Sequence, residues 1–124
     1  MVEQRLRNRV CIVTGAASGI GRAIALRFAA EAAQVVILDP RHDPIEGGES
    51  TVERIQGAGG KARSQLVDVS DWQQVDAAVT ETVSEFGALH VIVNNAAIYT
   101  GTDLLATSQD DWDRVMAVNL RKRR

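Results

Sequence analysis

Two kinds of hydrophobic pattern alternate along this chain. Short runs rich in aliphatic and β-branched residues occupy 9–14, 34–38, 61–69 and 89–94. The first, second and fourth are apolar almost without interruption, as strands are when both faces of their sheet are covered. Between the runs, apolar side chains return every three or four positions, the period of a helix with one buried stripe. Ile20, Ile24, Phe28 and Ala29 form one stripe, and Trp72, Val75, Val79, Val83 and Phe86 form a longer one. A third begins near Ser108 and runs through Trp112, Val115 and Met116 to the end of the chain.

Turn and cap residues punctuate the same pattern. Ser70-Asp71-Trp72-Gln73 fits a capping box, Ser108-Gln109-Asp110-Asp111 is a looser version, and Gly87 follows Phe86 as a helix stop. The stretch 39–50 carries Pro40, Pro44, Gly47 and Gly48, which predicts a loop before a short helix around Val52 and Ile55. Gly57-Ala58-Gly59-Gly60 ends that helix. The order is therefore βαβαβαβα. Right-handed crossovers turn it into an α/β fold, a doubly wound parallel sheet with helices on both faces. The expected strand order is 3-2-1-4, with a binding crevice at the switch point between the first and fourth strands. The fourth strand would then be an uncovered edge although its sequence is that of an interior strand, which invites pairing with another chain.

Composition narrows the partners. The 124 residues suit one domain, 1–124, with no linker, repeat or low-complexity segment. Hydrophobic residues are 45% and charged residues 24%, an ordinary soluble globular balance. A net charge of −2 steers the chain toward neither nucleic acid nor anionic lipid, although Arg121-Lys122-Arg123-Arg124 crowd the last positions. Cys11 is the single cysteine and lies in the apolar run Val10-Cys11-Ile12-Val13, so it reads as a buried small hydrophobe. With His42 and His90 isolated, no metal-ligand spacing exists. The first residues carry no apolar segment of a signal peptide and no run approaches membrane-spanning length, so the expected setting is cytoplasmic, with no membrane partner.

The chemistry is expected where the first strand runs into Thr14-Gly15-Ala16-Ala17-Ser18-Gly19-Ile20-Gly21 and then into a helix. Glycines permit a tight turn and close approach of ligand to backbone, while the unpaired amides and dipole of a helix start attract an anion. The spacing is not G-x-G-x-x-G and no P-loop lysine follows, so a turn without a ligand remains an alternative. Asp39 adds weight. It ends the second strand about twenty residues past the glycines, where a carboxylate can clasp both hydroxyls of an adenosine ribose. The bland alternative for Asp39 is a strand-terminating Asp before Pro40.

Thr14-Gly15-x-x-x-Gly19-Ile20-Gly21, Asp68-Val69 after the third strand and Asn94-Asn95-Ala96-Ala97 after the fourth together resemble the short-chain dehydrogenase/reductase family. The resemblance covers nearly the whole chain and implies a Rossmann-type cofactor-binding half, incomplete at its C-terminus, of an alcohol/carbonyl oxidoreductase. It implies that Gly15, Ser18, Gly19, Ile20 and Gly21 form the turn contacting pyrophosphate and ribose. By the same likeness Asp68 faces the adenine amino group with the Val69 backbone beside it. Asn94 ties the central strand to its neighbours, and Asn95 with Ala96 lines the cofactor ribose. Asp68 and Ser70 could instead end a strand and cap a helix, and Asn94-Asn95 could be a turn. Ala97 stands where the family more usually has glycine. A carboxylate at Asp39 repels a 2′-phosphate and favours NAD over NADP. Arg41 and His42 soften that preference, while Pro40 stands where NADP-preferring members often place arginine.

The resemblance also implies a catalytic serine, a tyrosine with a lysine four residues later, and an asparagine in the preceding helix. Of these, only the asparagine has a match, at Asn119, and a helix residue facing other strands is an equal reading of it. Tyr99 is followed four residues later by Asp103, so it fits a substrate-side loop rather than the acid/base position. Ser18 lacks the nucleophile-elbow context, and Asp110, Asp111 and Asp113 decorate a helix start. The expected function is nicotinamide dinucleotide binding without turnover by this chain alone. The alternatives are a non-catalytic NAD-binding module, and a subunit-assembly module that associates through the exposed strand edge or the last helix.

Overall fold

The computed structural model describes residues 4–98 and 104–120. Tyr99, Asp103 and the basic tail 121–124 lie outside the described residues. The elements are β1 (Val10–Thr14), α1 (Gly19–Ala30), β2 (Gln34–Asp39), α2 (Thr51–Gly57), β3 (Lys61–Leu66), α3 (Trp72–Phe86), β4 (Val91–Val93), a 3-10 turn (Leu104–Ala106) and α4 (Gln109–Asn119). The four strands form one parallel sheet in the order β3-β2-β1-β4, with Ile12 opposite Val36 on one side and Ile92 on the other.

The near-continuous apolar runs follow from this arrangement, because successive residues of a strand point to opposite faces. Cys11, Val13, Val35 and Ile37 face α1 and α2, and pack with Ala25 and Ile55. Ile12, Val36 and Leu38 face the other way, onto Val67 and Ala78 with Val75, Val79 and Phe86 of α3 at the margin. Cys11 is fully buried as expected, and burial pushes its thiol pKa up.

The strands are shorter than the sequence suggests. β3 ends at Leu66 because its partner ends at Asp39, whose carbonyl takes the Val67 amide before the chain turns. Among the described residues β4 pairs with β1 alone and keeps three residues, although His90 still prolongs the contact: its amide donates to the Val10 carbonyl and its Nδ1 accepts from the Val10 amide. The residues of the helical stripes divide as well. Ile24 and Phe28 pack on the core, whereas Ile20 is 74% exposed, Trp72 50% and Trp112 51%. Ile20 sits in the first turn of α1 beside the crevice, where no core lies beneath it. The cap of α3 also moves by one residue. Asp71, not Ser70, accepts from the Gln73 and Gln74 amides. Ser108 caps α4 through the Asp111 amide, and Gly87 closes α3 with its amide on the Val83 carbonyl.

A polar core residue absent from any sequence motif joins the N-terminal segment to α1. Glu31 is 4% exposed, and its carboxylate accepts from the Arg5 guanidinium at 3.0 Å, the Arg5 amide at 3.2 Å and Arg27 at 3.0 Å. The Arg5 guanidinium and then its amide hold this carboxyl below the usual glutamate range. A depressed native pKa contributes stability that is present above the unfolded value and disappears as the pH falls through the native one. Glu31→Gln should therefore lower the melting temperature at neutral pH, and it should flatten the decline of melting temperature on acidification. Identical acid limbs for the two proteins would refute this role.

Candidate functional site

The glycine bend is held from below by Thr14, the last residue of β1. Its buried hydroxyl donates to the Val93 carbonyl at 3.2 Å and accepts from the Asn95 and Ala96 amides at 3.0 Å each. The Asn95 side-chain amide donates to the Thr14 carbonyl at 3.1 Å and to the Gly15 carbonyl at 3.3 Å. The ends of β1 and β4 and the start of α1 are thereby drawn to one point, the switch point of the sheet.

Close approach explains two of the glycines. Gly15 has φ +67°, and a Cβ there would stand 2.9 Å from the Ala96 Cα. Gly21 has an ordinary helical backbone, but a Cβ on it would run into the Gly15 carbonyl and the Asn95 side chain. The first turn of α1 thus lies directly on the bend.

Above this floor opens a cleft of about 540 Å³, within the range of small-molecule sites. Gly15, Ser18, Gly19, Ile20, Asp39, Asp68, Val69, Asn95 and Ala96 all line it. Gly21 does not line it and acts underneath, as packing. Asp39, at the end of β2, aims at the bend, its Oδ2 accepting from the Ala17 amide at 3.1 Å and its Oδ1 from the Arg41 amide at 2.8 Å. These bonds leave carboxylate lone pairs for a ligand. Asp68 turns back on Ser70, accepting from its hydroxyl at 2.7 Å and its amide at 2.9 Å. The Ser70 hydroxyl, then its amide, hold the Asp68 carboxyl below the usual range, so it is an anion at neutral pH. Asp68 therefore braces the turn before α3 and lines the cleft, while the helix cap expected of Asp68 and Ser70 falls to Asp71.

The structure adds three features to the sequence reading. The asparagine that ties β4 to β1 is Asn95, because Asn94 is exposed on the opposite side beside Trp72 and Ile92. Asn119 uses both ends of its amide on one residue, donating to the Ile98 carbonyl at 2.9 Å and accepting the Ile98 amide at 2.8 Å. This pins the segment after β4 to α4. The bend amides are not all free, since the Gly19 amide donates to Glu46 Oε2 at 3.0 Å and the Ser18 hydroxyl accepts the Ile45 amide at 2.8 Å.

Sequence patterns missed Glu46 and Arg114, a further cleft residue on α4. Neither stands in a repeating pattern, and only the path of the chain brings them to the site. Thr14 was within reach, because a hydroxyl in a strand buried on both faces must find partners.

A second cleft of about 480 Å³ runs along β4 and α3, walled by Ile12, Leu38, Val75, Val79, Ile92 and Trp72. It is mostly aliphatic, with Thr14, Asp76 and Asn94 as its polar lining. Among the described residues no group of histidine, cysteine and acidic side chains could hold a metal ion, and no helix is long and apolar enough to cross a membrane.

Known proteins share this chain's pattern. The family model for short chain dehydrogenases matches residues 9–122. The 3-oxoacyl-[acyl-carrier-protein] reductase FabG of Thermotoga maritima is 38% identical over 117 residues, covering 94% of this chain and 46% of that protein. Galactitol 2-dehydrogenase of Agrobacterium fabrum is 38% identical, with 94% and 43% covered. Among solved structures, a short chain dehydrogenase from Mycobacterium avium superposes with a TM-score of 0.84 at 41% identity, covering 94% of this chain and 42% of that one. A short chain dehydrogenase from Burkholderia cenocepacia in complex with NADP superposes with a TM-score of 0.86 at 36% identity, covering 95% and 47%. The chain spans less than half the length of each of these relatives. On its sequence and its backbone alike, this chain belongs to the short chain dehydrogenase family.

Proposed function

We propose that the glycine cleft binds a nicotinamide dinucleotide by its adenosine-diphosphate end. The observation that carries this reading is a convergence: the N-terminal amides of α1, the Asp39 carboxylate and the Asp68–Val69 turn all border one cleft. Amides at a helix start suit a diphosphate, and a carboxylate at the end of the neighbouring strand suits ribose hydroxyls. In this reading Gly15, Ser18, Gly19, Ile20, Asn95 and Ala96 surround the diphosphate and ribose, and Gly21 lets the helix approach. Asp39 selects NAD over NADP by repelling a 2′-phosphate. The NADP complex of the Burkholderia cenocepacia relative makes that preference a matter for this chain's own Asp39 and Arg41, which adjoin each other.

Bound nicotinamide would supply hydride chemistry, and in the longer relatives an alcohol/carbonyl interconversion would follow. These 124 residues hold no Tyr-x-x-x-Lys pair, so the chain alone is proposed to bind without turning over substrate. Asn119 serves first to hold the Ile98 backbone. Calorimetric titration should show NAD and ADP-ribose binding with similar affinity, and NADP binding at least about tenfold more weakly, a difference of about 1.4 kcal/mol. Equal affinity for NADP would remove Asp39 as the selector, and heat from neither NAD nor ADP-ribose would end the dinucleotide reading.

A second reading, self-association, is favoured by the free edge of β4, where Ile92 is 48% exposed beside Trp72. It would appear as concentration-dependent mass in sedimentation, with or without nucleotide.

A further inference from the structure

The start of α1 already has an anion on it. Ser18 occupies the N-cap position, yet its side chain caps none of its own helix amides. The cap comes from the 40–50 loop: Glu46 Oε2 accepts the Gly19 amide at 3.0 Å, while the neighbouring Ile45 amide donates to the Ser18 hydroxyl at 2.8 Å. A carboxylate at a helix N-terminus is stabilised by the same amides and dipole that would stabilise a phosphate. The Gly19 amide, first among several groups, holds the Glu46 carboxyl below the usual glutamate range, so it is charged at neutral pH.

The loop is anchored at both ends and at Pro44, and the Ile45–Glu46 segment beyond that residue is exposed. Before it, Asp39 accepts the Ala17 amide. After it, the buried Thr51 hydroxyl donates to the Ala16 carbonyl at 2.7 Å. Pro44 is buried and holds the loop near its middle, but beyond it Ile45 is 74% exposed, Glu46 is exposed, and Gly47-Gly48 follow at once. Lifting Ile45 and Glu46 about a seated Pro44 breaks the two polar bonds to the bend.

From this we infer that the Ile45–Glu46 strap is a built-in competitor, an internal anion that must leave the Gly19 amide before a phosphorylated ligand can seat. The inference rests on the dinucleotide reading above and deepens it. It makes Glu46 a determinant of affinity that acts against binding, unlike the groups lining the cleft that act for it.

Glu46→Ala and Glu46→Gln, titrated calorimetrically with NAD beside the unaltered chain, test it. Removing the competing charge should tighten NAD binding by about threefold to tenfold for alanine, with glutamine between. In the nucleotide-free proteins, the Gly19 amide should exchange with solvent faster in Glu46→Ala than in the unaltered chain. NAD affinity that is unchanged or weaker in Glu46→Ala would overturn the competitor while leaving the dinucleotide reading in place. Failure of all three proteins to bind NAD would sink both. Unchanged exchange at Gly19 would show that Glu46 does not occupy that amide in solution, and would overturn the competitor whatever the affinities.

Discussion

Gly21→Ala should disable the site and destabilise the fold together, although alanine is the better helix former. In an exposed helix this substitution would gain up to about 1 kcal/mol. Here the added Cβ meets the Gly15 carbonyl, which is backbone and cannot rotate away. Gly15 is itself fixed, with its amide on the Leu38 carbonyl at 2.8 Å and its carbonyl taken by Asn95. Relief requires α1 to tilt off the bend, which lifts Ala25 from the core it packs on. Overpacking of this kind costs about 1–3 kcal/mol. The helix-start amides move with the helix, so NAD affinity should fall at least about tenfold, the equivalent of 1.4 kcal/mol. Denaturant midpoints and calorimetry would measure the two effects. A variant as stable as the unaltered chain would show that the bend yields more easily than its bonding implies.

Thr14→Val should be the most damaging change that preserves shape. The side chain keeps its outline and loses a hydroxyl that serves Val93, Asn95 and Ala96 at once. Removing one partner of buried hydrogen bonds costs about 1–3 kcal/mol, and toward the lower end here because the Asn95 amide also donates to the Val93 carbonyl at 3.1 Å. The strand itself should tolerate valine, which is a strong strand former. Any loss therefore reports on the junction between β1 and β4. Thr14→Ser restores the hydroxyl and should recover most of the stability lost in Thr14→Val, leaving only the deficit of a buried methyl. If serine were no better than valine, the packing of the methyl would be the cause and the hydrogen-bonded junction would not.

Most of the architecture was legible before any coordinates. The alternation of apolar runs with helical stripes and the crossover rule implied four parallel strands, and the doubly wound pattern supplied their order. The glycine spacing together with Asp39 and Asp68 marked one end of the sheet, and those residues do line one cleft. Element ends were less legible. β4 keeps three residues because a strand is as long as its pairing, and pairing belongs to two segments distant in sequence. The stripe residues Trp72 and Ile20 matched helical spacing but came out exposed, since periodicity reveals which face a residue shares and not what stands opposite that face.

What the sequence by itself determined is what depends on neighbours along the chain: strand and helix identity, the turns at glycine and proline, and the family pattern at the strand ends. Tertiary structure alone decided which groups meet. It assigned the tie across β1 and β4 to Asn95, placed Gly21 beneath the bend, and buried Glu31 against Arg5. It also carried Glu46 from a loop some 27 residues away onto the Gly19 amide. Local pattern records the conformational preference of each segment. Hydrogen-bond satisfaction and close packing are settled between segments, by distances that no spacing along the chain encodes.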